Sequence, residues 1–252
     1  MAATIALTED VVTPLIRGRF AVPYLWHAAC RSTQDVLRGS GLPEGAVAVA
    51  EHQTAGRGRS GRRWDDRPGS AVLVSVLLRP PLGAPLPQLS LVAGLAAAEA
   101  LEGLTGIPAG IKWPNDVLLA GRKVAGILLE SDEDAVVCGI GVNVGQLERE
   151  LPADTRVPAG SLRTATGIDV DRATVLASLL DALERDYDTW RHDGLEPLLP
   201  ALERRNALRG RRACAGTQEG VVGAFAPDGR IELALDDGTT QLVASGELEL
   251  ER

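Results

Sequence analysis

Two clusters in this 252-residue chain carry side chains suited to binding anions. The first is Gly56-Arg57-Gly58-Arg59-Ser60-Gly61-Arg62-Arg63-Trp64. Between residues 56 and 67 five arginines stand against two aspartates, a local net of +3 in a chain of net −8. Glycines let the backbone approach an anion closely, and arginine forks bind carboxylate or phosphate oxygens in pairs. Trp64 ends the stretch and offers a flat apolar platform that is costly to leave in water. The plainer reading is a solvated basic loop, and Trp64 weighs against it. The stretch also satisfies G-x-G-x-x-G, but no apolar helix follows, so a dinucleotide fingerprint is excluded. No G-x-x-x-x-G-K-[ST] loop occurs either.

The second cluster is Lys112-Trp113-Pro114-Asn115-Asp116, with Lys123 eleven residues beyond Lys112. Of 26 basic residues, these are the only two lysines. Coding bias accounts for the arginines, yet a primary amine is kept twice within a short span. Pro114 interrupts ladder bonding, and Ala120-Gly121-Arg122 suits a tight hairpin turn. Such a hairpin would bring both ammonium groups to one site, where an anionic ligand compensates their burial. Either lysine alone reads as an ordinary surface residue. Asn143, in Gly139-Ile140-Gly141-Val142-Asn143-Val144, is a third candidate for contacting a base or ribose, with a plain turn residue as the alternative. There is no G-x-S-x-G elbow and no Cys/His pair, and His27, His52 and His192 take no role.

The elements that must position these residues read as a mixed α+β domain with a mostly antiparallel sheet flanked by helices. Residues 1–22 lack a sustained helical pattern and form an N-terminal extension. Ser32-Thr33 open a short helix closed by Gly39. Strands are expected at 46–50 and 71–78, and across 111–119, 123–130 and 135–144, with the Arg/Gly loop between the first two. Helices are expected over 88–104, 171–190 and 196–208. After Arg209-Gly210, short strands at 211–215, 219–226, 230–236, 239–245 and 247–250 alternate with turns, the texture of a small SH3-like β-barrel. The expected organisation is therefore an extension (1–22), a ligand-binding domain (23–208) and a C-terminal barrel (209–252).

Taken in order, AEHQTAGRGRSGRRW (50–64), KWPND (112–116), RKVAGILLE (122–130) and GIGVNV (139–144) resemble the successive signatures of biotin protein ligases. Arg31-Ser32-Thr33-Gln34 resembles the upstream element of that family. The resemblance spans about residues 30–145 and implies a class II synthetase-like, biotinyl/lipoyl ligase fold. It implies activation of biotin with ATP as biotinyl-5′-AMP, then transfer to a lysine of a biotin carboxyl carrier protein of a biotin-dependent carboxylase. By resemblance, Lys123, Arg59 and Lys112 carry the chemistry. Ser32, Thr33, Gln34, Gln53, Gly56, Arg57, Arg59, Lys123 and Gly126 would bind biotin. Arg57, Arg59, Trp64, Lys112, Asn115 and Asn143 would bind the nucleotide. Mg2+ would arrive with ATP and no protein metal site is expected; Asp116 reads as structural. Lacking a winged-helix region, the chain resembles the monofunctional class, with no DNA partner, as monomer or homodimer. Lipoate ligation or octanoyl transfer is the nearest alternative, and an RNA-binding module using the Arg/Gly loop is a remoter one.

Composition sets the remaining bounds. Cys30, Cys138 and Cys214 are odd in number and widely spaced, which excludes a disulfide framework or zinc site and fits a reducing cytoplasm. No run of 18 apolar residues occurs, and Glu9, Asp10, Arg17 and Arg19 interrupt the N-terminus, so neither a membrane span nor a signal peptide is expected. Net acidity disfavours a general nucleic-acid coat protein.

Overall fold

A computed structural model describes residues 5–132, 134–153 and 155–250. Strands run at β1 Tyr24–His27, β2 Val47–Ala50, β3 Ala71–Leu78, β4 Ala109–Lys112, β5 Asp116–Leu119, β6 Arg122–Asp132 and β7 Ala135–Asn143, then at β8 Arg212–Ala215, β9 Gln218–Phe225, β10 Ile231–Leu235, β11 Thr240–Val243 and β12 Glu249–Leu250. The helices are α1 Glu9–Val12, α2 Thr33–Leu37, α3 Gln88–Thr105, α4 Leu162–Thr166, α5 Arg172–Asp193 and α6 Leu199–Arg204. The first seven strands form one sheet in the order β1-β2-β3-β7-β6-β5-β4, antiparallel except for the β1–β2 pair. The last five form an antiparallel sheet in the order β11-β10-β9-β8-β12. This is the mixed α+β architecture, with an SH3-like C-terminal sheet, that the pattern predicts.

Local chemistry explains the long elements. All eight residues of β3 are buried, which is why, Ser75 apart, it reads as a continuous apolar run rather than an alternating one. On α3, Ala96, Ala97, Ala98 and Ala100 are all buried, and small side chains let neighbouring elements approach closely. Gly106, at φ 68°, ends that helix in the left-handed region. Asp171 caps α5 by accepting the Thr174 N–H at 2.9 Å.

Three expectations need correction. The stretch 111–119 is not one strand: β4 and β5 are separate antiparallel strands joined through Trp113-Pro114-Asn115, and the Trp113–Pro114 peptide is cis. The helix expected over 196–208 is a 3-10 turn at Glu196–Leu198 followed by the short α6. Beyond it the chain leaves helical geometry to cover the outer edge of β4, with Ile111 N–H donating to Arg205 O at 2.6 Å and Ala207 N–H to Ile111 O at 3.0 Å. The described part of the N-terminal extension, residues 5–22, packs into the core, since Leu7, Val12 and Phe20 are buried and α1 lies within it; residues 1–4 lie outside the described residues. Arg172 bridges Glu51 at 2.9 Å and the Ile5 carbonyl at 2.6 Å, and Arg19 reaches Asp188 on α5 at 2.6 Å. The strand β1 and the helix α4 carry no strong periodic signal and are evident only in the fold.

One buried acid bears on stability. On α5, Asp186 Oδ1 accepts the Arg185 Nε–H at 2.9 Å, while Oδ2 has no partner among the described residues. Burial pushes this carboxyl up to about 6, against the pull of Arg185. A carboxyl whose affinity for its proton rises on folding favours the fold when protonated. Stability is therefore lost as pH climbs from the ordinary 3.8 to about 6, and the whole cost is present above that. Asp186→Asn is expected to abolish this slope and to stabilise the protein near neutral pH by on the order of 2 kcal/mol. Thermal unfolding of both proteins on either side of pH 6 checks it.

Candidate active site

A single cavity of about 780 Å³ gathers nearly all the residues singled out above. It is lined by Ser32, Thr33 and Gln34 at the start of α2, by Gln53 just after β2, and by Arg57, Arg59 and Trp64 from the Arg/Gly loop. Lys112, Asn115 and Asp116 reach it from the β4–β5 turn, and Lys123, Gly126 and Asn143 from β6 and β7. Gly56 is the exception: it lines an adjoining groove that also holds Arg57, Leu128 and Glu130. Among the described lining residues, seven side chains are basic and four acidic, so the walls favour a polyanion.

The two lysines meet through two hairpins rather than one. Lys112 opposes Asp116 across β4–β5, and Asp116 opposes Gly126 across β5–β6. The two-residue turn Ala120-Gly121 has both φ values positive, at 48° and 75°, which suits the twist of the flanking strands. Lys123 Nζ lies 2.6 Å from Asp116 Oδ1 and 5.9 Å from the Trp64 ring centroid. Lys112 is more deeply buried, and burial pulls its ammonium below the ordinary lysine value, with Lys123 adding to the effect and Asp116 opposing it. Asp116 therefore shares its charge between two ammonium groups.

The Arg/Gly loop is fastened at its base and folded back on itself. Arg57 donates through Nε and Nη2 to the two carboxylate oxygens of Glu130, both at 2.9 Å, and pairs with Asp35 at 2.8 Å. These contacts raise its pKa, the Glu130 hydrogen bond most. Trp64 N–H donates to Gly56 O at 3.1 Å, and Gly58 N–H to Arg62 O at 2.7 Å. Arg59–Gly61 is one 3-10 turn, with no helix after it, in line with the rejected dinucleotide fingerprint. Arg59 Nη1 donates to Asn115 Oδ1 at 3.4 Å, and burial pulls its guanidinium below the ordinary value.

Trp64 lies across two glycines. A Cβ on Gly141 would stand 2.5 Å from its Cε2, and one on Gly126 2.9 Å from its Cζ3. Both strands carry glycine here because the indole occupies the space a side chain would need. Its Nε1 is buried without a partner among the described residues. Gly141→Ala is expected to push the indole off the sheet, shifting tryptophan emission and raising the KM for ligands of this cavity about tenfold, the scale of overpacking at a tight contact. Fluorescence titration checks this.

Several candidates are engaged elsewhere by their polar ends. Asn143 donates to Gly160 O at 2.9 Å and accepts from Gln146 at 3.0 Å. Asn115 donates to Ile127 O at 2.9 Å. Both amides thus hold the backbone that frames the cavity. Gln34, which lines the cavity, donates to Leu128 O at 3.1 Å while its Oε1 is buried and unpartnered among the described residues. Trp113 points away from the cavity and donates to Gly229 O of the C-terminal sheet at 3.2 Å.

Sequence reasoning missed Arg156, Glu247 and Glu249, all of which line the cavity. Arg62 pairs with Glu247 and Arg156 with Glu249, so the C-terminal sheet closes one side by charge. No local pattern marks these residues, since each sits in a polar stretch far from the motifs. His52 Nδ1 lies 2.9 Å from Asp66 Oδ2, which accepts its N–H, a structural partner outside the cavity lining.

Comparison with known proteins agrees with this geometry. The profile of the Biotin/lipoate A/B protein ligase family matches residues 27–146. The bifunctional ligase/repressor of Bacillus subtilis (strain 168) is 40% identical over 185 residues, covering 69% of this chain and 56% of that protein. The chain thus spans little more than half the length of that relative. The biotin--[acetyl-CoA-carboxylase] ligase of Mycobacterium tuberculosis is 38% identical over 216 residues, 81% of this chain and 79% of that protein. The structure of the biotin protein ligase from Aquifex aeolicus in complex with biotin and ATP superposes with a TM-score of 0.81 at 33% identity, covering 90% of this chain and 98% of that one. Motifs, fold and relatives together place the chain in the biotin/lipoate A/B protein ligase family, among its biotin protein ligases.

Proposed function

We propose that this chain joins biotin to a lysine of a carrier protein in two steps. In the first, the biotin carboxylate attacks the α-phosphorus of ATP, forming biotinyl-5′-AMP and expelling pyrophosphate. In the second, the neutral ε-amine of the acceptor lysine attacks the acyl carbon, AMP leaves, and the amine's proton goes to solvent. The observation that carries this reading is one cavity combining a neutral hydrogen-bonding corner at Thr33, Gln34 and Gln53 with an arginine- and lysine-rich remainder. A ureido ring suits the first and a carboxylate plus phosphates suit the second.

The residues then divide the work. Lys123 holds the biotin carboxylate and the α-phosphate together, which requires a compact charge close to both. Lys112 offsets phosphate charge from the other side of Asp116. Arg57 and Arg59 carry the loop over the acyl-adenylate, and Trp64 shields it from water. Gly56 and Gly126 give the loop and the ligand close passage along the backbone, while Ser32 completes the biotin end beside Thr33. Asn115 and Asn143 frame the nucleotide. Magnesium arriving with ATP finds no protein cage: Asp116 is held by Lys123, and among the described residues no group of three or more metal-ligating side chains occurs. The acceptor is the carrier protein of a biotin-dependent carboxylase, on the strength of the Mycobacterium tuberculosis relative's name.

Neither step needs an enzyme nucleophile, and the thiols fit that. Burial pushes Cys138 up to about 12 and Cys30 up to about 11, so neither is a ready thiolate. This counts against acyl transfer through an enzyme thioester. ATP–pyrophosphate exchange, run separately with biotin and with lipoate, tests the proposal. Exchange with biotin alone is expected; exchange driven by lipoate instead would overturn the substrate assignment.

A further inference from the structure

Strand β3 runs Ala71-Val72-Leu73-Val74-Ser75-Val76-Leu77-Leu78, and Ser75 is its one polar side chain. It has no solvent exposure. A hydroxyl in such a place is costly unless it is bonded. Its partner is Thr33, with Oγ to Oγ at 2.8 Å. Thr33 in turn bonds Gln53 twice, its backbone N–H donating to Oε1 at 2.8 Å and its Oγ lying 3.2 Å from the same oxygen.

These contacts fix every proton. A backbone N–H only donates, so the oxygen of the Gln53 amide must face Thr33 and its NH2 must face away. That same oxygen only accepts, so the Thr33 hydroxyl spends its single proton on it. The 2.8 Å contact can then form in one sense only: Ser75 donates and Thr33 accepts. The chain of donation runs Ser75 to Thr33 to Gln53. It leaves Thr33 Oγ with one lone pair, and leaves the Gln53 amide its two N–H donors beside Gly56, whose Cβ would stand 3.1 Å from Nε2.

We infer that Ser75 is a positioning residue that sets the hydrogen-bond polarity of the cavity's neutral corner and thereby selects a ligand presenting an N–H beside a C=O. A cyclic urea or lactam has that edge; a dithiolane or a simple acyl chain has neither group. Ser75 acts through Thr33 and is not itself among the cavity-lining residues. Without it, Thr33 loses its donor, only the 3.2 Å contact to Gln53 still orients its hydroxyl, and the lone pair offered to the ligand is held less firmly. This rests on the biotin reading given above.

The test is biotin-dependent ATP–pyrophosphate exchange on the full chain, with Ser75→Ala, Thr33→Val and the double variant, and thermal melting as a check on folding. Ser75→Ala is expected to raise the KM for biotin about tenfold, the value of one lost buried hydrogen bond, while kcat and the KM for ATP stay within about twofold. In the Thr33→Val background the same change is expected to add less than about twofold, because the residue it acts through is gone. Ser75→Cys keeps the shape with a weaker donor and is expected to fall between, and it serves where the alanine variant unfolds. An unchanged biotin KM in an otherwise active Ser75→Ala enzyme overturns the role of Ser75 alone. So does an equal penalty in both backgrounds, which marks a packing effect. A wild-type enzyme that shows no exchange with biotin overturns this inference together with the reading beneath it.

Discussion

Replacing Lys123 with arginine is expected to slow adenylate formation about a hundredfold or more, the loss typical of one misplaced charge donor at a reacting oxyanion. The reason lies in the space around Nζ. The ammonium sits 2.6 Å from Asp116 and over the Trp64 ring at 5.9 Å from its centroid, and a Cβ on Gly126 would stand only 3.5 Å from it. A point charge on a flexible stem fits there; a planar fork with five fixed donors does not. Arginine would keep the net charge but move it off the line between carboxylate and phosphorus. Lys123→Ala is expected to fall at least as far. Single-turnover formation of biotinyl-5′-AMP from labelled ATP measures both, and an arginine variant within about fivefold of wild type would remove Lys123 from the centre of the mechanism. Binding of biotin should weaken less than the rate, because the ureido end is held elsewhere.

Arg59→Ala is expected to have a different signature: adenylate still forms, but it escapes. Arg59 begins the 3-10 turn of the loop and ties it to Asn115 in the β4–β5 turn. The rest of the loop is fastened at its base, through Arg57 to Glu130 and Asp35, and further along by Arg62 to Glu247. Loss of this tie frees the loop's leading turn from the β4–β5 turn, so the mixed anhydride is exposed to water and to any nearby amine. Labelling of bystander lysines is expected to rise about tenfold or more over wild type, with the adenylation rate lowered by less than about tenfold. Streptavidin detection of biotin on an added unrelated protein, beside pyrophosphate release, separates the two. A variant that retains its intermediate as long as wild type would show that the loop closes without this residue.

Much of the scaffold was legible from local pattern. The apolar run of β3, broken only by Ser75, the alanine-rich stripe of α3 and the Asp171-capped α5 each carry enough pattern to outweigh alternatives. The failures have a common cause. Ile111 to Leu119 reads as one strand because Val117, Leu118 and Leu119 continue the apolar run, and only the register of β4 against β5 exposes the turn between. The 196–208 stretch has helical composition, but residues 205–207 gain more by bonding to the open edge of β4 than by extending a helix. Both outcomes depend on partners distant in sequence, which periodicity does not encode.

The site divides along the same line. Residue types at fixed spacing, namely Gly and Arg in 56–63, the two lysines, Trp64, and Ser32-Thr33-Gln34, identified the family and most of the cavity, because anion binding and amide recognition demand particular functional groups. Lysine scarcity sharpened that reading, since an arginine-rich chain kept its only two lysines in the lining of one cavity. What tertiary structure alone decided is how those groups are held: Asp116 between the lysines, Glu130 beneath Arg57, glycines making room for Trp64, Ser75 behind Thr33, and the Glu247–Arg62 and Glu249–Arg156 pairs that bring the C-terminal sheet to the cavity. All but the Asp116 contacts join residues far apart in the chain, and the energy of each comes from distance and burial. Neither quantity exists until the sheet has formed.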